Sequence, residues 1–438
     1  MTASTVTHHV DMICVGFGPA AIALACALED WREEHDGVPA FQSSLFLERA
    51  ADTVWQPELL LAGTDINHHP FRDLVTPRNP RSRFSFAMYL KEKGRLYRFG
   101  QLGRPASRIE WSDYVGWVAE QLSSYVAYNE AVTDIVPQVD NGELTGLTVI
   151  TPRTMRTTRR LVLANGSQIR IPAVFQPHLG PRVFHTAEYL TAMRHPELAN
   201  AKRWLVVGSG QSASEVITDI LHRHPDGKIH SVHRSSGFKI TQLGQFPNMA
   251  FSPERVDYFH DLPGQARQRL LDEVKGTNYS GIDPEESQAL FSIVYEDQLV
   301  GRERLIVQVF NQVVAIRSNG KDYAVTLRDV FNGEETTVEV DAIIAATGYE
   351  QPMIPPQLAA IQPWLVLDDD GGIKIGRNYH IETKSPHVGI FACGLSERSH
   401  GISDGQSFSL MAMRADRILQ SMQVGDAKPV MAEPALTA

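Results

Sequence analysis

An α/β fold with two Rossmann-like dinucleotide-binding domains, the second inserted in the first, follows from three observations. Two glycine-rich turns, Gly16-Phe17-Gly18-Pro19-Ala20-Ala21 and Gly208-Ser209-Gly210-Gln211-Ser212-Ala213, each follow a short apolar run. Each also opens a helix-like stretch, and that strand–turn–helix context is what gives a glycine pattern meaning. Buried-strand patterns then resume at 341–346 and 388–392, so the C-terminal segment completes the first domain. Glycine lets the backbone turn tightly and approach a pyrophosphate, whose charge then sits at a helix N-terminus. One such turn serves one dinucleotide. Two predict two, most simply a flavin and the nicotinamide that reduces it.

Along the chain, residues 1–10 read as a loose tail. A strand over 11–15 leads through the first turn into a helix over 20–31, and a second strand over 44–47 ends at Glu48. An acid there accepts hydrogen bonds from an adenosine ribose, although a surface acid at a strand end is the plainer alternative. Glu48 stands 30 positions after Gly18, further than the usual ~20, and the stretch 32–41 accounts for the excess. In the second unit, strands over 204–207 and 228–232 flank the second turn's helix. The latter is followed by His233-Arg234-Ser235-Ser236 and Lys239, with no acid at its end. Arginine in that place pairs with a 2′-phosphate, which predicts NADPH rather than NADH. The division expected is 8–195 for the first part of the flavin domain and 196–340 for the NADPH domain. The latter includes a small, mainly helical substrate-binding region at about 245–300. Residues 341–424 complete the flavin domain with a helix over 407–421, and 425–438 form a flexible tail.

Composition narrows the class. The chain has 438 residues, 43% hydrophobic, and no run long enough to span a membrane. Its first residues lack the basic-then-apolar order of a signal peptide. Cys14, Cys26 and Cys393 form no CxxC, so neither a disulfide framework nor a redox dithiol is indicated, and a cytoplasmic location is expected. A formal charge of −10 argues against nucleic acid as a partner. His8-His9 and His68-His69 lack ligand spacing, so no metal is expected.

With these pieces in order, the chain resembles the flavin-dependent N-hydroxylating monooxygenases, the lysine and ornithine hydroxylases of siderophore biosynthesis. The resemblance runs from about residue 11 to 420. It is carried by GFGPAA, by Trp55-Gln56-Pro57, and by Ile66-Asn67-His68-His69-Pro70-Phe71-Arg72-Asp73-Leu74. Further along, Asn79-Pro80-Arg81-Ser82, Arg108-Ile109-Glu110-Trp111-Ser112-Asp113-Tyr114, His185-Thr186-Ala187-Glu188-Tyr189 and Pro247-Asn248 match in the same order. So do Thr277-Asn278-Tyr279-Ser280, Ala346-Thr347-Gly348-Tyr349 and His400-Gly401-Ile402-Ser403-Asp404. Singly these are weak; in sequence they are specific. Five positions depart from the family pattern: Ala21, Gln56, Asn67, Arg72 and Ala345. One residue more than in ornithine hydroxylases precedes Ser409.

The resemblance implies hydroxylation of a side-chain primary amine by NADPH and O₂ through an FAD C4a-hydroperoxide, with L-ornithine the leading substrate. Lysine, aspartate or a diamine are the alternatives. It implies FAD contacts from Gly16, Gly18, Pro19, Ala21, Glu48, Arg49, Trp55, Gln56, Arg108 and Ser407. NADPH contacts are implied from Gly208, Gly210, Gln211, Ser212, Glu215, Arg234, Lys239, Asn278, Thr347, Gly348 and Tyr349. Substrate contacts fall on Asn67, Arg72, Asn248, Asn278 and Ser409, with Asn278 and Arg108 catalytic. Several have a plainer counterpart: Asn248 and Asn278 as turn caps, Arg108 in an ion pair with Glu110 or a neighbour, Arg72 as a surface arginine, Trp55 as core. Arg72 carries most of the argument, because a guanidinium grips a carboxylate bidentately and so points to an amino acid rather than a diamine. The partners expected are this small amine and O₂, no nucleic acid, no membrane, and further copies of the chain, as a tetramer by resemblance. A sulfide- or ketone-oxidising relative would not need Asn248, Asn278 and Arg72 together. A disulfide reductase would need a dithiol. A flavin-binding protein without catalysis is the remaining class.

Overall fold

The computed structural model describes residues 8–279 and 281–424, so the tails expected at 1–7 and 425–438 lie outside the described residues. Met12–Val15 is buried along its whole length, as a strand covered on both faces of a parallel sheet must be. It is flanked by Arg160–Leu163 and Ser44–Leu47. The full six-stranded order is His380–Ile381, Gly389–Ala392, Arg160–Leu163, Met12–Val15, Ser44–Leu47, Val126–Ala127. Only the outermost pair, His380–Ile381 with Gly389–Ala392, is antiparallel. C-terminal residues therefore do complete the first sheet.

Helix Pro19–Glu34 explains why. Every residue from Ala21 to Asp30 is buried, and a helix apolar nearly all round must be enclosed. Its small residues (Ala21, Ala23, Ala25, Ala27) allow close approach, and Ala415, Ile418, Leu419 and Met422 of helix Met411–Val424 join the same core. That helix starts four residues later than the sequence suggests. Ser407 Oγ accepts the Ser409 backbone N–H, and a serine that bonds its own backbone competes with helix formation.

The second sheet is all parallel, in the order Val183–His185, Ala342–Ala345, Arg203–Val207, Lys228–Val232, Leu305–Gln308. Both domain boundaries shift as a result. Strands 183–185 and 342–345, which a division at 195/196 and 340/341 gives to the first domain, belong to the second sheet. A short run such as Ala342-Ile343-Ile344-Ala345 reads as a buried strand whichever sheet it joins. Between the sheets, Tyr349–Glu350 pairs with Gln168–Ile169. Helices Pro253–Asp261, Gly264–Val274 and Pro284–Leu299 form the helical region expected near 245–300. At the N-terminus His8–His9 pairs with Arg156-Thr157, so the expected tail is shorter than ten residues.

Candidate active site

Both glycine turns have the build that dinucleotide binding requires. Gly16 lies at φ +98°, and a Cβ there would stand 2.6 Å from the Ala164 carbonyl oxygen. Gly208, at φ +141°, would place one 2.2 Å from the Ala346 oxygen. Only glycine fits either position. Gly18 and Gly210 serve a different purpose: each is the N-cap of its helix, and a Cβ on either would meet nothing within 4 Å. Neither helix start is capped by a side chain. Each turn thus leaves open space over unsatisfied helix N–H groups, a cradle for a pyrophosphate. Pro19 occupies the first position of its helix, where no N–H is needed. Ala21 is wholly buried beneath the turn.

Glu48 lies against the first turn: its Oε2 accepts the Phe17 N–H at 2.7 Å, and its Oε1 accepts that of Ala50 at 2.9 Å. Arg49 and Gln56 are exposed, and Gln56 adopts a left-handed backbone, φ +50°. Trp55 packs edge-on against Phe408 with ring centroids 5.1 Å apart, while its backbone N–H donates to Ser112 Oγ. In the second domain Arg234 and Lys239 are exposed beyond strand Lys228–Val232, and Ser212 is half-buried at the helix start. Thr347 and Gly348 border the crossing strand, with Arg170 donating to the Thr347 carbonyl at 2.6 and 2.9 Å. Tyr349 stacks edge-on over His185.

The expected substrate residues divide into two groups. Arg72 Nη1 donates to Ser409 Oγ at 3.2 Å, and Ser409 is held in turn by Ser407 Oγ at 3.0 Å. Arg72 forms no ion pair with an acid among the described residues, which leaves a half-buried guanidinium available to an anion. Next to it on the same loop, His68 packs against the rings of both Trp111 and Phe408. Burial, aided by the nearby Arg72, brings its pKa down to about 4, so it is neutral and adds no charge for a second carboxylate. Asn278 Nδ2 is buried and makes no hydrogen bond of good geometry among the described residues. A buried amide N–H of this kind is costly unless a ligand supplies its acceptor.

Asn67 and Asn248 are engaged elsewhere. Asn67, exposed at φ +55°, donates to Asp283 Oδ1 at 3.0 Å. Asn248 Nδ2 donates to the Gln242 and Gly244 carbonyls, both at 3.0 Å, so its amide hydrogens act as a turn cap and only its Oδ1 is left for a ligand.

Arg108 corrects the simplest expectation. Its partner is not Glu110, which pairs with Arg95 at 2.8 Å, but Glu215. Both guanidinium Nη atoms reach the Glu215 carboxylate at 2.6 Å, and Arg108 also donates to the Leu59 carbonyl at 3.0 Å. Both side chains are less than a tenth exposed. A buried fork-to-fork pair thus ties the first turn of helix Arg108–Gln121 to helix Gln211–Arg223 of the other domain.

Around it stand acids that the sequence reading missed. Gln211 donates to Glu215 at 3.2 Å and to Asp283 at 3.4 Å, while the Asp283 N–H donates back to Gln211 Oε1 at 3.2 Å. Glu286 accepts from Ser214 at 2.9 Å. Burial first, then the neighbouring carboxylates, pushes Asp283 up to about 6 and Glu286 up to about 7. A third missed acid, Glu397, accepts the Tyr279 hydroxyl at 2.5 Å beside Asn278, with its pKa raised by burial. In sequence, Asp283-Pro284-Glu285-Glu286 reads simply as an acidic helix start. No cluster of metal-ligating side chains occurs among the described residues.

Comparison with known proteins agrees with this geometry. The family model for L-lysine 6-monooxygenase/L-ornithine 5-monooxygenase matches residues 8–351. An L-ornithine N(5)-monooxygenase from Pseudomonas aeruginosa is 33% identical over 99% of both chains. Among solved structures, an L-lysine 6-monooxygenase from Pseudomonas syringae is 54% identical with a TM-score of 0.87, covering 95% of this chain and 100% of that one. An ornithine N-hydroxylase from Kutzneria sp. 744, with FADred, NADP+ and L-orn, is 32% identical with a TM-score of 0.87, covering 96% and 100%. The two dinucleotide turns and the match across most of the chain give one conclusion: the chain belongs to the L-lysine 6-monooxygenase/L-ornithine 5-monooxygenase family, and is a flavin monooxygenase.

Proposed function

We propose that this chain, with FAD bound at the Gly16 turn and NADPH at the Gly208 turn, hydroxylates the side-chain primary amine of an amino acid, L-ornithine first. The observation that carries the substrate class is Arg72, a half-buried cation with a hydroxyl neighbour and no acid paired to it among the described residues. FAD, once bound and reduced by NADPH, supplies the chemistry that activates O₂. The chain's own residues bind, orient and exclude water. Arg72, with Ser409 steadying one Nη, takes the α-carboxylate. Asn278 Nδ2 gives an otherwise unmet N–H to an acceptor on substrate or nicotinamide. The amine must be neutral to react, and a free alkylammonium (pKa ~10.4) is neutral only about once in 2,500 at pH 7. Desolvation and the Arg72 charge both favour its neutral form. The aromatic wall of Trp55, Trp111 and Phe408 keeps water out. Arg234 and Lys239, exposed beyond strand Lys228–Val232, are the cations this reading gives to the 2′-phosphate.

A second reading takes L-lysine as substrate, favoured by the 54% identity to the Pseudomonas syringae lysine enzyme. A tetramer and a cytoplasmic location belong to the same proposal. Exposed Leu96, Tyr97 and Ile109 support self-association, and light scattering measures it. The deciding assay compares hydroxylamine formed with NADPH consumed, FAD added, across ornithine, lysine, aspartate, putrescine and cadaverine. Hydroxylamine matching NADPH for one amino acid supports the proposal and names the substrate. NADPH consumed to peroxide with all five keeps the flavin chemistry and refutes the substrate class.

A further inference from the structure

The contacts around Asp283 close a ring that passes through all three parts of the molecule. From the first domain, the Thr64 carbonyl accepts the Arg108 N–H at 3.0 Å, and Asp65 Oδ1 accepts the Asn67 N–H at 3.0 Å. Asn67 Nδ2 then reaches Asp283 Oδ1, at the start of helix Pro284–Leu299 in the helical region. Asp283 exchanges two hydrogen bonds with Gln211, the first residue of the second dinucleotide helix. Gln211 reaches Glu215, and Glu215 returns to Arg108. Arg72 lies on the same loop as Thr64, Asp65 and Asn67, five positions beyond Asn67. The loop that would take the amino acid's carboxylate is therefore bonded, through Asn67, to Asp283, which in turn holds the residue that opens the NADPH-binding helix. Through Thr64 it is bonded to the cation locked against that helix.

We propose that Asp283 and Asn67 are positioning residues that couple occupancy of the amino-acid site to nicotinamide dinucleotide binding. This rests on the proposed function. The sense of the coupling follows from the ring. An amino acid clamped by Arg72 fixes loop 64–72, and that loop holds Asp283. Asp283 in turn fixes Gln211 at the turn where the dinucleotide's phosphates would sit. Each ligand thus orders part of what the other needs, which gives positive coupling. Asp65, Glu215, Glu285 and Glu286 are the charged groups around Asp283. With Arg108 engaged by Glu215, the Asn67 and Gln211 amides are what satisfy the Asp283 carboxylate.

The test uses the FAD-loaded, oxidised chain and NADP⁺, so nothing turns over. NADP⁺ is titrated calorimetrically without and with saturating L-ornithine, and again with L-lysine. The native chain should bind NADP⁺ at least about fivefold more tightly with one of the amino acids present, and bind that amino acid more tightly by the same factor with NADP⁺ present. Asn67→Ala, a change at an exposed residue that leaves the core intact, and Asp283→Ala should each bring that ratio close to one. A native ratio of one, or variants that keep the native ratio, overturns the inference. A merely structural role would lower the melting temperature, or weaken both ligands alike, and leave the ratio unchanged. Hydroxylamine formed by a native chain with no coupling defeats this inference and spares the proposed function. Coupling without hydroxylamine does the reverse.

Discussion

Replacing Arg72 with alanine separates the substrate readings most sharply. The fold should tolerate the change: among the described residues the guanidinium's one hydrogen bond is to Ser409 Oγ, which keeps its partner Ser407. What is lost is the grip on a carboxylate. A fork of two charge-assisted hydrogen bonds is worth about 1.5–3 kcal/mol for each bond, partly recovered by water that refills the space. Taking a net ~3 kcal/mol, the KM for ornithine should rise about 150-fold. Putrescine has the same reacting amine and spacing but no carboxylate, so it loses nothing. Its second ammonium is repelled by Arg72 in the native chain, and its KM should fall in the variant. Ser409→Ala removes the hydroxyl that steadies one Nη but leaves the fork to the carboxylate in place, so its effect should stay near tenfold or below, on the order of 1 kcal/mol. Arg72→Lys keeps charge without the fork and should lie between the two. Initial rates of hydroxylamine formation against amine concentration, with NADPH saturating, give all the KM values. Equal losses for ornithine and putrescine would refute the carboxylate assignment, and so would an unchanged KM for ornithine.

Three further outcomes follow from the same geometry. Gly18→Ala adds a methyl that meets nothing within 4 Å, so the chain should fold at its native melting temperature but fail to retain FAD; Gly16→Ala, driven into the Ala164 carbonyl, should lose stability as well. Flavin content and thermal melts distinguish the two. Arg234→Ala should raise the KM for NADPH roughly 10- to 150-fold while leaving that for NADH alone, and equal effects on both would remove the 2′-phosphate role. Glu286 has a raised folded pKa of about 7, so its contribution to stability is complete at low pH and is lost as pH rises through 7. Glu286→Gln, which keeps an acceptor for Ser214, should therefore gain melting temperature over the native chain between pH 5 and 8, and a pH-independent difference would contradict the shift.

Much of the fold was legible because local and global signals agree. Strands 44–47 and 228–232 fall where the apolar runs end in polar turns, and each glycine turn sits between its predicted strand and helix. What sequence could not assign was membership. Residues 342–345 read correctly as a buried strand, but a buried parallel strand carries no mark of its sheet, and pairing with 203–207 is settled only by how the chain crosses between domains. The site was legible to the same degree. Arg72 with Ser409 was accessible through motif order, although the residues are 337 positions apart. Asn67 is implied as a substrate contact only by its place in the family pattern, five positions before Arg72. Its amide points to Asp283, 216 positions away, and no spacing rule reaches that far.

Arg108 shows where physical reasoning on the sequence alone could have gone one step further. Residues two apart on a helix do not face each other, so within helix Arg108–Gln121 Glu110 is a poor partner. A buried arginine in that first turn must then find an acid from another element, because an unpaired buried charge costs several kcal/mol. The candidate acids are few: Glu215 is the only one in the first turns of the helix that opens at Gly210, and that helix start must face the first domain if one dinucleotide is to reduce the other. The pair is what the junction itself requires: a charge buried where two domains meet needs an opposite charge contributed from across the junction.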